Sequence, residues 1–223
     1  MNDNQKMKKI NLLLITLGIL VNGCGGQDQH GAKRDIPKKE CIALNDSAGV
    51  HLQRFENSVT PHSYKDKQLD TALYLLKEAV KCDSNYIIGY FNMANTYAYM
   101  KNLNGEMTVI NKLILISNAN PSFILRKALL YKTENKIDSA KSTFAILNRL
   151  CNEQLKKDPE NVRMIVNKIW IKAYSDGKEA GLKARDEEIK QHPKDSIEIT
   201  KKTRTLEYLD SLGRKEQITI ERK

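Results

Sequence analysis

Aromatic side chains are scarce in this 223-residue chain, at 6% of the total with a single Trp. A large β core, filled by aromatic and β-branched residues, does not suit that composition. The four histidines, His30, His51, His62 and His192, stand apart, with no HxxxH, HExxH or CxxC spacing around them. The usual sequence signatures of a metal or redox centre are therefore missing. No glycine-rich phosphate loop and no nucleophile elbow occur either, which leaves phosphoryl transfer and serine hydrolysis without their common frames. Carboxylates are plentiful but stand near Lys or Arg at helical spacing, an arrangement worth roughly 0.2–0.5 kcal/mol per exposed pair. We expect no catalytic residue, no metal and no cofactor, and so no enzyme.

A dense run of one charge is also lacking. The net charge is +10, yet Lys and Arg alternate with Glu and Asp along the presumed helical faces. Such a pattern describes a solvated surface, and no nucleic-acid partner is expected.

What is present is a ladder. The tetrads Leu69-Asp70-Thr71-Ala72, Leu103-Asn104-Gly105-Glu106 and Ile137-Asp138-Ser139-Ala140 follow one another at 34-residue intervals. A fixed period of that length in a helix-rich chain marks stacked helical hairpins. Apolar residues at three- and four-residue spacing place the helices. Leu69, Ala72, Leu73, Leu76 and Ala79 define one, and Tyr90, Met93, Ala94 and Tyr97 the next. Met107, Ile110 and Leu113 follow, then Ile124, Ala128 and Tyr131, then Ala140, Phe144 and Leu147. Asp70, Asn104 and Asp138 are expected as helix N-caps. His51 to Ser58 is expected to form a short helix stopped by Pro61, leaving the first half-repeat degenerate. The third unit is seven residues longer than the pattern needs, about two helical turns, which keeps its buried face in phase. Val162, Ile165, Ile169, Trp170 and Ala173 begin a fourth unit that turns at Gly177 and ends at His192-Pro193. Ile197, Leu206, Leu209 and Leu212 are expected on a capping helix closed by Gly213, before a polar tail over residues 214–223. The fold class is all-α: an α-solenoid of about three to four repeats over residues 51–213.

The N-terminus has a different character. Lys6, Lys8 and Lys9 precede Ile10 to Val21, an apolar stretch too short to cross a bilayer as a helix. Val21-Asn22-Gly23-Cys24 then resembles the lipobox of bacterial lipoproteins, although Asn22 departs from the usual small residue. That resemblance implies removal of residues 1–23 and lipidation of Cys24, with acyl chains holding the mature protein on a membrane. Gly25 in place of Asp after the cysteine implies the outer membrane of the cell envelope. Residues 24–50 are polar and glycine-bearing, and are expected to form a flexible tether. Within it, Asp46-Ser47-Ala48 resembles a glycosylation triplet of Bacteroidetes lipoproteins.

The ladder itself resembles tetratricopeptide repeats. Tyr90, Ala94 and Tyr97 match that family's first-helix pattern in one unit, and Ile124, Ala128, Tyr131 and Ala140 match it more fully in the next. Glu106, where alanine is usual, and Lys127, where leucine is usual, depart from it. The resemblance implies a concave groove lined by first helices that takes a protein or peptide partner. By position, Phe91, Asn95, Tyr99, Leu125, Leu129 and Lys132 would face it, with Trp170 and Tyr174 extending it. The function implied is a membrane-anchored protein-interaction module; the alternatives are a scaffold subunit of an envelope assembly machine and, further off, an envelope enzyme or glycan binder.

The remaining cysteines are read as structural. Cys41 falls in the tether. Cys82 and Cys151 occupy equivalent helix ends two repeats apart, beyond the roughly 7 Å Cα separation a disulfide tolerates. Free, buried or half-buried thiols are expected.

Overall fold

The computed structural model describes residues 37–57 and 62–208. The proposed signal segment, Cys24, residues 209–213 of the expected cap and the tail over 214–223 lie outside them. Every regular element among the described residues is helical. The α-helices are α1 Lys39–Asn57, α2 His62–Cys82, α3 Ile87–Tyr99, α4 Leu103–Ile116, α5 Pro121–Thr133, α6 Ile137–Lys157, α7 Val162–Asp176, α8 Lys178–Gln191 and α9 Ser196–Thr203. Short 3-10 turns cover Pro193–Asp195 and Arg204–Tyr208. None of the described helices is long and apolar enough to cross a membrane. The described chain divides into two compact units, residues 37–123 and 124–208, with the division inside α5.

In the first unit α1 pairs with α2, α2 with α3, and α3 with α4. The expected tether over residues 24–50 is corrected from Lys39 onward, because helix begins there; residues 24–36 lie outside the described ones. The stripe that holds α1 is narrow: Cys41, Asn45 and Ala48 are buried, with Leu52 and Phe55 half-buried at the same three- and four-residue spacing. An asparagine and a cysteine in a small-residue stripe escape a search for large apolar residues. The first half-repeat is therefore complete, and Asp46-Ser47-Ala48 lies on a helix, where Ser47 Oγ donates to the Ala43 carbonyl at 2.8 Å.

An antiparallel pair brings the start of its first helix to the end of its second. That geometry places Cys41 beside Cys82, and the two form a disulfide with Cα atoms 5.6 Å apart. The bond sits in a small core with Ala79 and Tyr86, against which Ile42 and Leu44 pack. The expectation of free thiols is corrected for these two residues. It holds for Cys151, which is free and buried.

The 34-residue period reappears as backbone geometry. Helices α3 and α5 start 34 residues apart, as do α4 and α6. The turns that close α3 and α5 are the same motif. Asn102 N–H donates to the Tyr97 carbonyl and Lys101 N–H to that of Ala98; Lys136 and Asn135 repeat those bonds to Tyr131 and Lys132. Lys101 and Asn135 take the left-handed conformation that this helix ending requires, at φ 58 and 59 degrees. The caps differ from expectation. Asn102, not Asn104, accepts from Gly105 N–H at 2.8 Å to start α4. Asp138 stands inside the first turn of α6, whose N-cap is Lys136, and Asp70 lies within α2. The first tetrad was misplaced because α2 begins seven residues before Leu69.

In the second unit α6 pairs with α7 and α7 with α8, and α9 packs on both α7 and α8. Helix α6 has 21 residues where α4 has 14, the two extra turns read from the spacing. Its buried Ala140, Thr143, Phe144, Leu147 and Cys151 stay on one face. Gly177, at φ 103 degrees, makes the turn into α8. There the helices approach closely, since a Cβ on Gly181 would stand 2.4 Å from that of Ala173. The cap at the end is shifted: Ile199 and Leu206 are buried, whereas Ile197 is 83% exposed.

Candidate functional site

In the first unit, α1 and α3 run side by side in the same direction. Asn92 Nδ2 donates to Asn45 Oδ1 at 2.9 Å, and further along Tyr99 Oη donates to Glu56 Oε1 at 2.5 Å. Parallel first helices are what a hairpin stack produces, since each second helix reverses the chain. At the carboxyl end of this pair an aromatic platform forms. The Phe55 and Tyr99 rings lie 5.1 Å apart and tilted, and the Lys65 ammonium stands 6.0 Å from the Phe55 centroid. Tyr99 is 37% exposed. Phe91 and Asn95, eight and four residues before it on the same helical face, are half-buried, and the Phe91 ring meets that of Phe123 at 6.3 Å. Of the eight expected groove residues, these three share one face of α3 and keep surface toward solvent.

The other five behave differently. Leu125 and Leu129 are buried, as are Trp170 and Tyr174. Trp170 and Tyr174 stack on each other with centroids 5.6 Å apart. A partner cannot reach these four side chains, so they are corrected from groove lining to interior packing. Aromatic residues at helical spacing are chiefly core-formers, and position within a repeat did not reveal it. Lys132 is exposed as a whole, but its ammonium donates to the Tyr174 carbonyl at 2.6 Å near the end of α7. Burial there lowers its pKa, while Asp176 acts in the opposite sense. Its contact is with a helix carboxyl terminus, a favourable place for a cation.

Two residues were missed by sequence reasoning. Phe55 and Lys65 come from α1 and α2, and only their spatial approach to Tyr99 joins them to α3. Glu106, the departure from the alanine pattern, is fully buried. The histidines are also less isolated than their spacing implied. His51 Nδ1 lies 2.7 Å from Gln68 Oε1, tying α1 to α2, and His192 lies among carboxylates.

These features define an all-α protein of helical hairpins with a polar-aromatic face on its first unit. Neither a protein-family model nor a curated protein sequence matches the chain. Among solved structures it is similar to "MamA RS-1 ArsTM double mutant", at 12% identity and a TM-score of 0.46 over 84% of this chain and 100% of that one. At that score, the hairpin assignment rests on this chain's own helix pairing.

Proposed function

We propose that this chain is an exported, lipid-anchored interaction module of the bacterial cell envelope, docking a protein or peptide segment on the α1–α3 face. The observation that carries this reading is the Cys41–Cys82 disulfide, built into the helical core. Structural disulfides persist in oxidising compartments and are rare where thiols are kept reduced. Export agrees with the cationic start, short apolar run and lipobox-like Cys24, and places the anchor ahead of the helical domain. The recurrent helix starts and turn geometry support a tetratricopeptide-type array, whose broad helical faces suit binding to other proteins.

On that reading the docking residues are Phe55, Phe91, Asn95 and Tyr99. The rings offer apolar contact with little loss of side-chain entropy, and Asn95 lies between Phe91 and Tyr99 on the same helical face. Crosslinking in intact cells, followed by mass spectrometry, identifies what the face holds. Tyr99→Ala and Asn95→Ala are expected to lose that capture, and unchanged capture in both overturns the docking site. A Cys24→Ala variant is expected to leave the membrane fraction and to lose lipid labelling. Continued labelling rules Cys24 out as the anchor.

The burial of Leu125, Leu129, Trp170 and Tyr174 favours one alternative, a scaffold subunit that uses outer faces rather than a groove. Stoichiometric copurification with membrane proteins after detergent extraction, insensitive to Tyr99→Ala, distinguishes it.

A further inference from the structure

Three segments of the second unit bring ligating groups to one place. Glu160 comes from the turn before α7, His192 from the carboxyl end of α8, and Asp195 from the 3-10 turn that follows. One ligand atom from each lies within 4.8 Å of the other two. His192 Nδ1 is 3.7 Å from Glu160 Oε2, and its side chain is 14% exposed. On the opposite edge of the ring, Nε2 is 3.6 Å from Glu188 Oε2. Glu188 is itself fixed by Lys168, whose ammonium lies 2.9 Å from Oε1.

These distances are too long for hydrogen bonds, and the Nδ1 atom is buried with no hydrogen-bond partner. With the ring proton on Nε2, toward Glu188, the Nδ1 lone pair is left facing the Glu160 carboxylate oxygen 3.7 Å away, with Asp195 in the same cluster. Acceptors facing one another repel, so a positive species between them relieves the arrangement. We infer that Glu160, His192 and Asp195 bind a divalent cation of the zinc class, with Glu188 orienting the imidazole.

The donor set selects the metal. One imidazole nitrogen with two carboxylate oxygens suits zinc, while calcium and magnesium prefer all-oxygen shells. Three protein ligands leave a fourth tetrahedral position for water. Tetrahedral bonds of about 2.0–2.1 Å put ligand atoms about 3.3 Å apart. The 3.7 Å between His192 and Glu160 closes to that value by a small swing of Glu160, whose side chain is 73% exposed and so free to turn; Asp195, within 4.8 Å of both, turns inward as well on binding. A carboxylate behind the second ring nitrogen is the usual support of a metal-bound histidine. Nothing in the docking reading depends on this site, which belongs to the other unit.

Equilibrium dialysis of the full chain against zinc, without reductant, tests it. About one ion per chain is expected, lost in His192→Ala. Asp195→Asn and Glu160→Gln are expected to weaken binding at least tenfold, and Glu188→Gln about tenfold, as outer-shell changes do. Circular dichroism checks each variant. Should His192→Ala fail to fold, the two carboxamide variants decide, since Glu160 is exposed and Asp195 is not in the core. Absence of stoichiometric binding means that His192 serves only as a packing contact of Glu160 and Glu188, and overturns the inference. Binding lost in Cys151→Ser but kept in Asp195→Asn and Glu160→Gln overturns it as well.

Discussion

The two units spend the same residue types differently. In residues 37–123 a covalent bond joins the ends of a hairpin whose first helix buries mostly small and polar groups, Cys41, Asn45 and Ala48. In residues 124–208 the corresponding work falls to large side chains: Ile165, Val166, Ile169, Trp170, Ile171, Ala173 and Tyr174 are all buried on α7. Its cysteine, Cys151, is a buried packing group with no bond. A helix poor in apolar surface needs another constraint to stay folded; a helix rich in it does not. The same contrast bears on function, since exposed aromatic surface survives on α3 while the aromatics of α7 are interior.

The sharpest way to break this comparison is to remove the disulfide. Cys41→Ser is expected to destabilise the first unit by about 4 kcal/mol, the chain-entropy value for a closed loop of this length, given a separation of 41 residues. Hydrogen exchange should report the loss in α1 and α2. Equal protection in the variant would mean that the α1 stripe suffices alone.

Cys151 gives the second test, with pH as the variable. Burial pushes its thiol up from 9.0 to about 11, with Lys168 opposing. A pKa raised in the folded state means that the fold holds the proton more tightly. Its contribution is thus complete below the unfolded value and lost as pH rises through the folded one. Stability is expected to fall by roughly 2–3 kcal/mol between pH 9 and 11 from this group alone, at about 1.4 kcal/mol per unit. Urea denaturation across that window, compared with Cys151→Ala, isolates it; parallel slopes would refute the assignment.

Glycines come third. Gly181→Ala sets a methyl against Ala173, where a Cα lies 2.9 Å from the new Cβ and cannot move aside. Overpacking costs about 1–3 kcal/mol, against up to about 1 kcal/mol regained in helix propensity. Net destabilisation of about 1–2 kcal/mol is expected by thermal melting. The three atoms nearest a Cβ at Gly105 all belong to the Tyr97 ring, from 2.6 Å, and a ring can turn, so Gly105→Ala should cost less.

The smallest effect concerns two caps that the units share. Asn102 accepts from Gly105 N–H at 2.8 Å and Asn161 from Met164 N–H at 3.2 Å. Alanine at either should cost about 1 kcal/mol in denaturant titrations, with the closer bond of Asn102 losing more.

Much of the architecture was legible. Apolar spacing located α2 through α7 and the seven-residue extension of α6, because large buried residues recur on one face of a helix whatever it packs against; α8, whose buried residue is Gly181, was bracketed by its ends, Gly177 and His192-Pro193. Of helix α1 only the carboxyl part was legible, in the short helix expected from His51; its first three turns were not, since Asn45 and Ala48 do not look like core until a neighbour is present. The expected groove residues divide by burial: Phe91 and Asn95 are half-buried and Tyr99 exposed, whereas position in the repeat cannot tell an accessible face from one that another helix covers, so Leu125, Leu129, Trp170 and Tyr174 were misread.

Local information, carried by the chain alone, determined that this protein is helical and repeats every 34 residues, down to the left-handed residues Lys101 and Asn135 that end matching helices. Everything that depends on residues far apart in sequence was decided by the tertiary structure. Antiparallel packing alone brings Cys41 to Cys82, parallel α1 and α3 alone bring Glu56 to Tyr99, and the return of the chain after α8 alone brings His192 to Glu160. The physical reason is that helix formation depends on neighbours within a few residues, whereas bonds, platforms and ligand sets depend on which helices share a face.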